Sequence, residues 1–229
     1  MAVRGSPLAR LQSRRIPHTS ISYGAGLALL GIGVLGKNKT QILRRLKAVA
    51  TEIIAEKEQI IDRAGALRFT ASEPAQLKKV LTDPIGWKKR FLKPLLLRLN
   101  AHMLDAQIPI YFPKGVTIEH VLPRQPAANG VWREKYPNAT RRKVCTELLG
   151  NYALLTHPIN ARAKNSDFQT KRSVMFSMTN HQSFPLTTEL TNYEEWNEGE
   201  LLQRHQKLVG LAFEVLGLAP AVGWQLAAE

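Results

Sequence analysis

Two short apolar runs edged with polar residues, followed by a polar helix, constrain this chain more than any other feature. The first run is Ile118-Glu119-His120-Val121-Leu122-Pro123, the second is Gly150-Asn151-Tyr152-Ala153-Leu154-Leu155, and Asn160 lies just beyond. The order they spell is strand, loop, strand, helix, with a carboxylate, an imidazole and two carboxamides at the junctions. Neighbours in a strand point to opposite faces, so Glu119 and His120 can serve one site only where the strand ends or bulges. Pro123, three residues on, supplies that ending. Asn151, after Gly150, is placed for its side-chain amide to tie the intervening loop to the backbone near His120.

Around this core the pattern is mainly helical. Ile42, Leu46, Val49, Ile53, Ile54, Ile60 and Ile61 largely recur at spacings of three and four, predicting a helix over Thr40 to Ala66. Ser72-Glu73-Pro74 reads as a capped start for a helix to about Thr82, and Asp83-Pro84 ends it. Gly86 to Met103 reads as a helix in which Pro94 makes a kink or marks the true start. Ile108 to Pro113 and Val116 to Val121 are strand-like, separated by Pro113-Lys114-Gly115. Arg124 to Asn138 reads as a long loop pinned by Trp132 and Tyr136, and Thr140 to Leu149 as a short basic helix. After the second strand, Asn151 to Thr156, one helix is expected from Pro158 to about Val174. A loop over Thr179 to Pro185 and a closing helix over Glu194 to Leu218 complete the chain.

Charge narrows the function. Lys+Arg is 32 against 18 for Asp+Glu in 229 residues, a net charge of +14. That excess is expected of a chain that binds a polyanion, nucleic acid first and an anionic membrane surface second. Ile21 to Gly36 is apolar and uncharged behind a basic start, but it is short of the roughly 20 residues a membrane span needs, and no small-residue cleavage site follows. The single cysteine, Cys145, excludes an intrachain disulfide and a cysteine-ligated zinc site, and is compatible with a reducing cytoplasm.

Hydrolysing a phosphodiester needs an activated water and charge stabilisation at the phosphate. An imidazole with pKa near ~6.5 suits the first task. A divalent cation suits the second, and Glu119 with the Asn160 carboxamide oxygen are hard ligands for Mg²⁺ or Mn²⁺. The same residues have plainer readings. Asn160 fits a helix cap, His120 a core or surface histidine, and Lys171 and Arg172 a solvated helix face. His157 is close enough in sequence to Asn160 to contact the metal or the scissile phosphate. Trp132, Trp196, Phe176 and Leu201 read as packing residues, and His102, His181 and His205 have no site context.

Taken together, Glu119-His120-Val121-Leu122-Pro123, Leu149-Gly150-Asn151-Tyr152-Ala153-Leu154-Leu155, and Asn160 with Asn165, Phe168 and Lys171 resemble the C-terminal domain of GmrSD-type restriction endonucleases, a family of His-Asn-His (ββα-metal) nucleases. The resemblance runs from about Trp87 to Leu218 and includes Trp196 and the helix carrying Arg204. It implies His120 as general base, Glu119 and Asn160 on the metal, and Asn151 as the structural asparagine of the catalytic set. Lys164, Lys171 and Arg172 are then the expected nucleic-acid contacts. Arg124 stands where the family more often has glutamine. The Asp-Gly-Gln-Gln-Arg signature of the longer members' nucleotide-handling domain is missing, which implies a separate recognition subunit or a missing N-terminal domain.

The expected architecture is therefore mainly α (α+β), with a basic N-terminus and helical connector over residues 1–85 and a nuclease domain with an embedded ββα-metal core over 86–229. The expected activity is Mg²⁺- or Mn²⁺-dependent cleavage of DNA in a cytoplasmic bacterial defence system. Two rivals stand beside it: a nucleic-acid-binding module with a dead site, and a membrane-anchored or partner-binding helical protein resting on Ile21 to Gly36.

Overall fold

Caps and apolar spacing build the first helices. In the computed structural model, which describes residues 30–54, 69–104, 115–176 and 184–218, α1 spans Lys39–Ile54. It opens on a reciprocal pair: Asn38 N–H donates to Gln41 Oε1 and Gln41 N–H to Asn38 Oδ1, both at 3.0 Å. Residues 55–66, the rest of the expected helix, lie outside the described residues, as do the expected strand over Ile108 to Pro113 and most of the Thr179 to Pro185 loop. Helix α2 is Glu73–Thr82, with Pro74 in its first turn. Ser72, the expected cap, accepts no backbone N–H and takes only the Gln76 amide at 3.4 Å. The buried Glu73 carboxylate accepts from Thr70 N–H instead, and from Arg45 on α1 at 2.5 Å. Helix α3, Leu92–His102, begins two residues before Pro94, so that proline marks a start and not a kink.

Strand β1 (Val116–His120) pairs antiparallel with β2 (Tyr152–Thr156), setting Glu119 opposite Ala153 and His120 opposite Tyr152. The long crossing between them is more ordered than its composition predicts. It contains α4 (Val131–Lys135) and α5 (Ala139–Thr146), and ends in a 3₁₀ turn at Leu149–Asn151. Trp132 and Tyr136 pin it as expected, at 3% and 2% exposure, and Trp132 Nε1–H donates to Ser166 O.

The helix expected over Pro158 to Val174 is two helices, α6 (His157–Ala163) and α7 (Phe168–Met175). Lys164 breaks the run at φ 45°, and Asp167 restarts it by accepting the Thr170 N–H. A short polar side chain that caps a new helix competes with continuing the old one. Two short elements, α8 (Pro185–Thr188) and a 3₁₀ turn at Glu189–Asn192, precede the closing helix α9. Helix α9 is Glu198–Val215, and the Asn197/Glu200 capping box sets its start.

The hairpin separates two apolar cores. Ile118, Tyr152 and Leu154 face the first, with Leu77, Leu96 and Phe213; Val121, Ala153 and Leu155 face the second, with Ile159, Phe168 and Trp196. Leu77, Leu81 and Ile85 thus share a core with residues beyond the expected 85/86 boundary. A two-stranded sheet leaves a bare edge that must be covered. Here Thr187 Oγ1 accepts from Leu154 N–H and donates to Leu154 O, in place of a third strand. Among the described residues no helix is long and apolar enough to cross a membrane, and Ile32 and Val34, within the apolar N-terminal run, are buried.

Candidate active site

Strand alternation assigns the two neighbours at the end of β1 to different faces. Glu119 points to the second core, where α6 and α7 pack; His120 points to the first, against Tyr152. The His120 and Tyr152 rings meet edge-on, centroids 4.9 Å apart. Burial, the largest influence, lowers the His120 pKa to about 4; the Glu147 carboxylate opposes that shift, while Arg124 and Lys171 add to it. The ring is therefore neutral at neutral pH. Its Nε2 is buried and has no hydrogen-bond partner. Buried polar atoms without partners are few in folded proteins, and this one sits on the residue that sequence alone marks out.

Asn151 fixes the backbone behind that ring. Its Oδ1 accepts from Leu122 N–H at 2.7 Å and from Trp196 Nε1–H at 3.3 Å. Its Nδ2 donates to Leu122 O and Thr146 O, both at 2.9 Å. Fully buried and fully bonded, Asn151 is a positioning residue. Gly150 before it has no room for a side chain: a Cβ there would lie 2.5 Å from the backbone nitrogen of His205.

On the Glu119 face, Asn160 donates Nδ2–H to Thr117 Oγ1 at 2.9 Å and to Ile118 O at 3.1 Å. Thr117 and Glu119 project from the same face, so the Asn160 carboxamide and the Glu119 carboxylate flank one stretch of strand about 7 Å long. Carboxylate and carboxamide oxygens are the donor type that a hard divalent ion takes. No group of three or more His, Cys, Asp or Glu gathers among the described residues.

A cation already stands at that carboxylate. Lys171, 0% exposed, donates from Nζ to Glu119 Oε1 at 2.5 Å and to His120 O at 2.7 Å. Burial pushes Glu119 up and Lys171 down, and their mutual attraction opposes both shifts. The expectation that Lys171 contacts nucleic acid needs correction: an ammonium sealed in the core cannot reach an outside phosphate. Lys164 is exposed. Arg172 is half-buried over the Phe168 ring and donates to Thr191 O at 3.1 Å. His157 lies beyond Thr156, which pairs with Val116, and so sits at the far end of the hairpin from His120.

Sequence reasoning missed the clasp on the other side of Gly150-Asn151-Tyr152. Arg204, 0% exposed, binds Glu189 at 2.7 Å, Gly150 O at 2.5 Å, Tyr152 O at 2.9 Å and Leu186 O at 2.7 Å. His205 Nδ1 accepts from Gly150 N–H, so its Nε2 carries the proton and donates to Thr82 O at 3.1 Å. Arg204 was visible only as part of a resemblance, and His205 carried no signal because its partners lie far off in sequence. Glu147 was missed too. It takes Trp87 N–H, Arg124 Nε–H at 3.2 Å and the Tyr152 hydroxyl at 2.8 Å, linking the surface to the His120 ring.

Against known proteins, the family model for GmrSD restriction endonucleases, C-terminal domain, matches residues 75–211. No curated protein and no solved structure matches the chain.

Proposed function

Because this chain belongs to the family of GmrSD restriction endonuclease C-terminal domains, we propose that it is the nuclease part of a restriction system, hydrolysing phosphodiester bonds in DNA with His120 as general base. One observation carries the reading: a buried imidazole, neutral at neutral pH, with an unpartnered Nε2 at the end of β1. A neutral Nε2 can take a proton from a water, which substrate docking would have to admit to its buried position. A pKa near 4 makes it a weak base when the protein is free, but a docked phosphodiester brings a negative charge that raises the pKa toward the working range. Asn151 holds the backbone on which the ring is mounted, and Tyr152 holds the ring's edge.

Glu119 and Asn160 are the proposed ligands of Mg²⁺ or Mn²⁺; they lie on the opposite face of β1 from the His120 ring, so base and metal can meet at one phosphate only past the strand's end at His120. When bound, the metal would supply charge stabilisation at the phosphate and leaving oxygen. The +14 charge supports DNA as the polyanion, with Lys164 and Arg172 as candidate backbone contacts. Target choice is proposed to lie in a separate recognition subunit or a further domain. One observation favours the rival, a DNA-binding module without catalysis: Lys171 already neutralises Glu119.

The deciding experiment incubates the purified chain and its His120→Ala variant with supercoiled plasmid, with and without Mg²⁺. Metal-dependent nicking or cutting is expected, with a loss of about 10²- to 10⁴-fold in the variant and unchanged DNA binding. Equal rates in the two proteins remove His120 as base. Binding without cleavage by the parent protein selects the rival.

A further inference from the structure

Trp87 is a large aromatic side chain left 39% exposed beside the candidate site, in a protein whose Trp132 and Trp196 are buried. Two cations lie over its ring. The Arg124 guanidinium carbon is 5.0 Å from the centroid, and Lys88 Nζ is 5.4 Å away. The backbone beneath the ring is held in place: Trp87 N–H donates to Glu147 Oε2 at 2.9 Å, and Ile85 N–H donates to Glu147 O at 2.6 Å. The same Glu147 carboxylate meets the Tyr152 hydroxyl at 2.8 Å, and the Tyr152 ring packs against His120. A chain of contacts through Glu147 and Tyr152 therefore connects the backbone that carries this aromatic ring to the proposed base.

Packing does not account for this arrangement, because the ring is not buried. A positively charged aromatic surface is what an unpaired nucleobase and its phosphate recognise: the ring stacks on the base and the cations meet the backbone. Arg124 is anchored to Glu147 through its Nε, whereas Lys88 has no acidic partner among the described residues. Lys88 is thus the cation that a base can displace and that can turn to the adjoining phosphate. A paired base in a duplex offers no free face, so the ring selects a nucleotide that is single-stranded or turned out of the stack.

We propose that Trp87, with Lys88 and Arg124, forms a nucleobase-stacking subsite that holds an unpaired nucleotide next to the phosphate presented to His120. This rests on the nuclease reading above, yet it can fail on its own.

The test measures binding of labelled oligonucleotides to the full chain by fluorescence anisotropy, without divalent metal so that nothing is cut. Trp87→Ala is expected to weaken binding of a short single strand about 5- to 100-fold, with Trp87→Phe recovering part of the loss. The same substitution should have little effect on an otherwise identical strand of abasic sites, which keeps the phosphates and lacks the bases. A fully paired duplex should also be little affected, and a duplex with one unpaired base should show the loss again if flipped nucleotides use the subsite. Equal affinity of parent and Trp87→Ala for the single strand overturns the subsite and leaves the nuclease reading standing. An equal loss on the abasic strand also overturns it, because the effect would then be one of charge or folding. No DNA binding by the parent chain overturns both.

Discussion

Two neighbouring pairs, Glu119-His120 and Arg204-His205, flank the same three residues, Gly150-Asn151-Tyr152, and they are built differently. Each joins a residue in a buried ion pair to a histidine whose pKa burial lowers to about 4. Around Arg204-His205 every side-chain nitrogen is hydrogen-bonded. The guanidinium reaches a carboxylate and three carbonyls, and both nitrogens of the His205 ring are used. At Glu119-His120 one is not: Lys171 Nζ makes two bonds, but His120 Nε2 makes none. A polar group left unsatisfied in a core costs stability, which supports the role proposed for His120, whereas full satisfaction suits architecture.

The largest effect expected from breaking this contrast is at Arg204. Arg204→Ala strands three buried carbonyls and removes the internal partner of Glu189, leaving that carboxylate only the half-exposed Lys207. A loss of about 3–5 kcal/mol is expected, enough to unfold much of the population. Urea denaturation measures it, and a loss under about 1 kcal/mol would reduce the clasp to decoration.

Next come the two histidines, which should part company. His205→Ala should lower stability while the folded fraction keeps its specific activity; His120→Ala should do the reverse. Both rings also predict an acid limb. A histidine whose folded pKa is depressed from 6.5 to about 4 binds fewer protons folded than unfolded across that interval. Its contribution is therefore present above pH 6.5 and is lost as pH falls toward 4. Denaturation of the parent and of each alanine variant across that range should show the acid sensitivity shrinking in both variants. An unchanged slope in either would mean that its ring is not buried neutral.

Lys171→Met should have a smaller effect, about 1–3 kcal/mol, because Glu119 can take a proton when its counter-ion is gone. The sign is the opposite of the histidines'. A carboxylate whose folded pKa is raised binds more protons folded than unfolded, so the variant should be more stable in mild acid than at neutral pH. A variant that loses stability on mild acidification beyond what the histidines cause would reverse the assignment.

The smallest effect is at the surface. Lys164→Ala should weaken DNA binding uniformly across sequences and reduce the salt dependence of affinity by about one unit of slope. A parent protein whose affinity is flat between low and moderate salt would remove the electrostatic contact altogether.

Much of the hairpin and its asparagines was legible because those signals are local. Short apolar runs marked β1 and β2, Pro123 marked the end of β1, and the tie from Asn151 to the loop after His120 followed from its place beside Gly150. The family could be read from the same residues in order. Helix boundaries were less legible where capping competes with periodicity. Asn165-Ser166-Asp167 splits one expected helix into α6 and α7, and α4 forms inside a segment that composition reads as loop.

What the sequence determined by itself was the strand, loop, strand, helix order, the mainly helical surround and the strong basic charge, each set by patterns a few residues long or by composition. Only the tertiary structure decided the partners of the buried charges. Lys171 looks like any basic residue on a polar helix until α7 packs it onto Glu119, 52 residues away. His205 has no visible purpose until α9 brings its backbone against Gly150, 55 residues away. The physical reason is common to both. A charge or imidazole in a core must find its partner there, and the geometry that supplies one comes from elements distant in the chain, which no local pattern encodes.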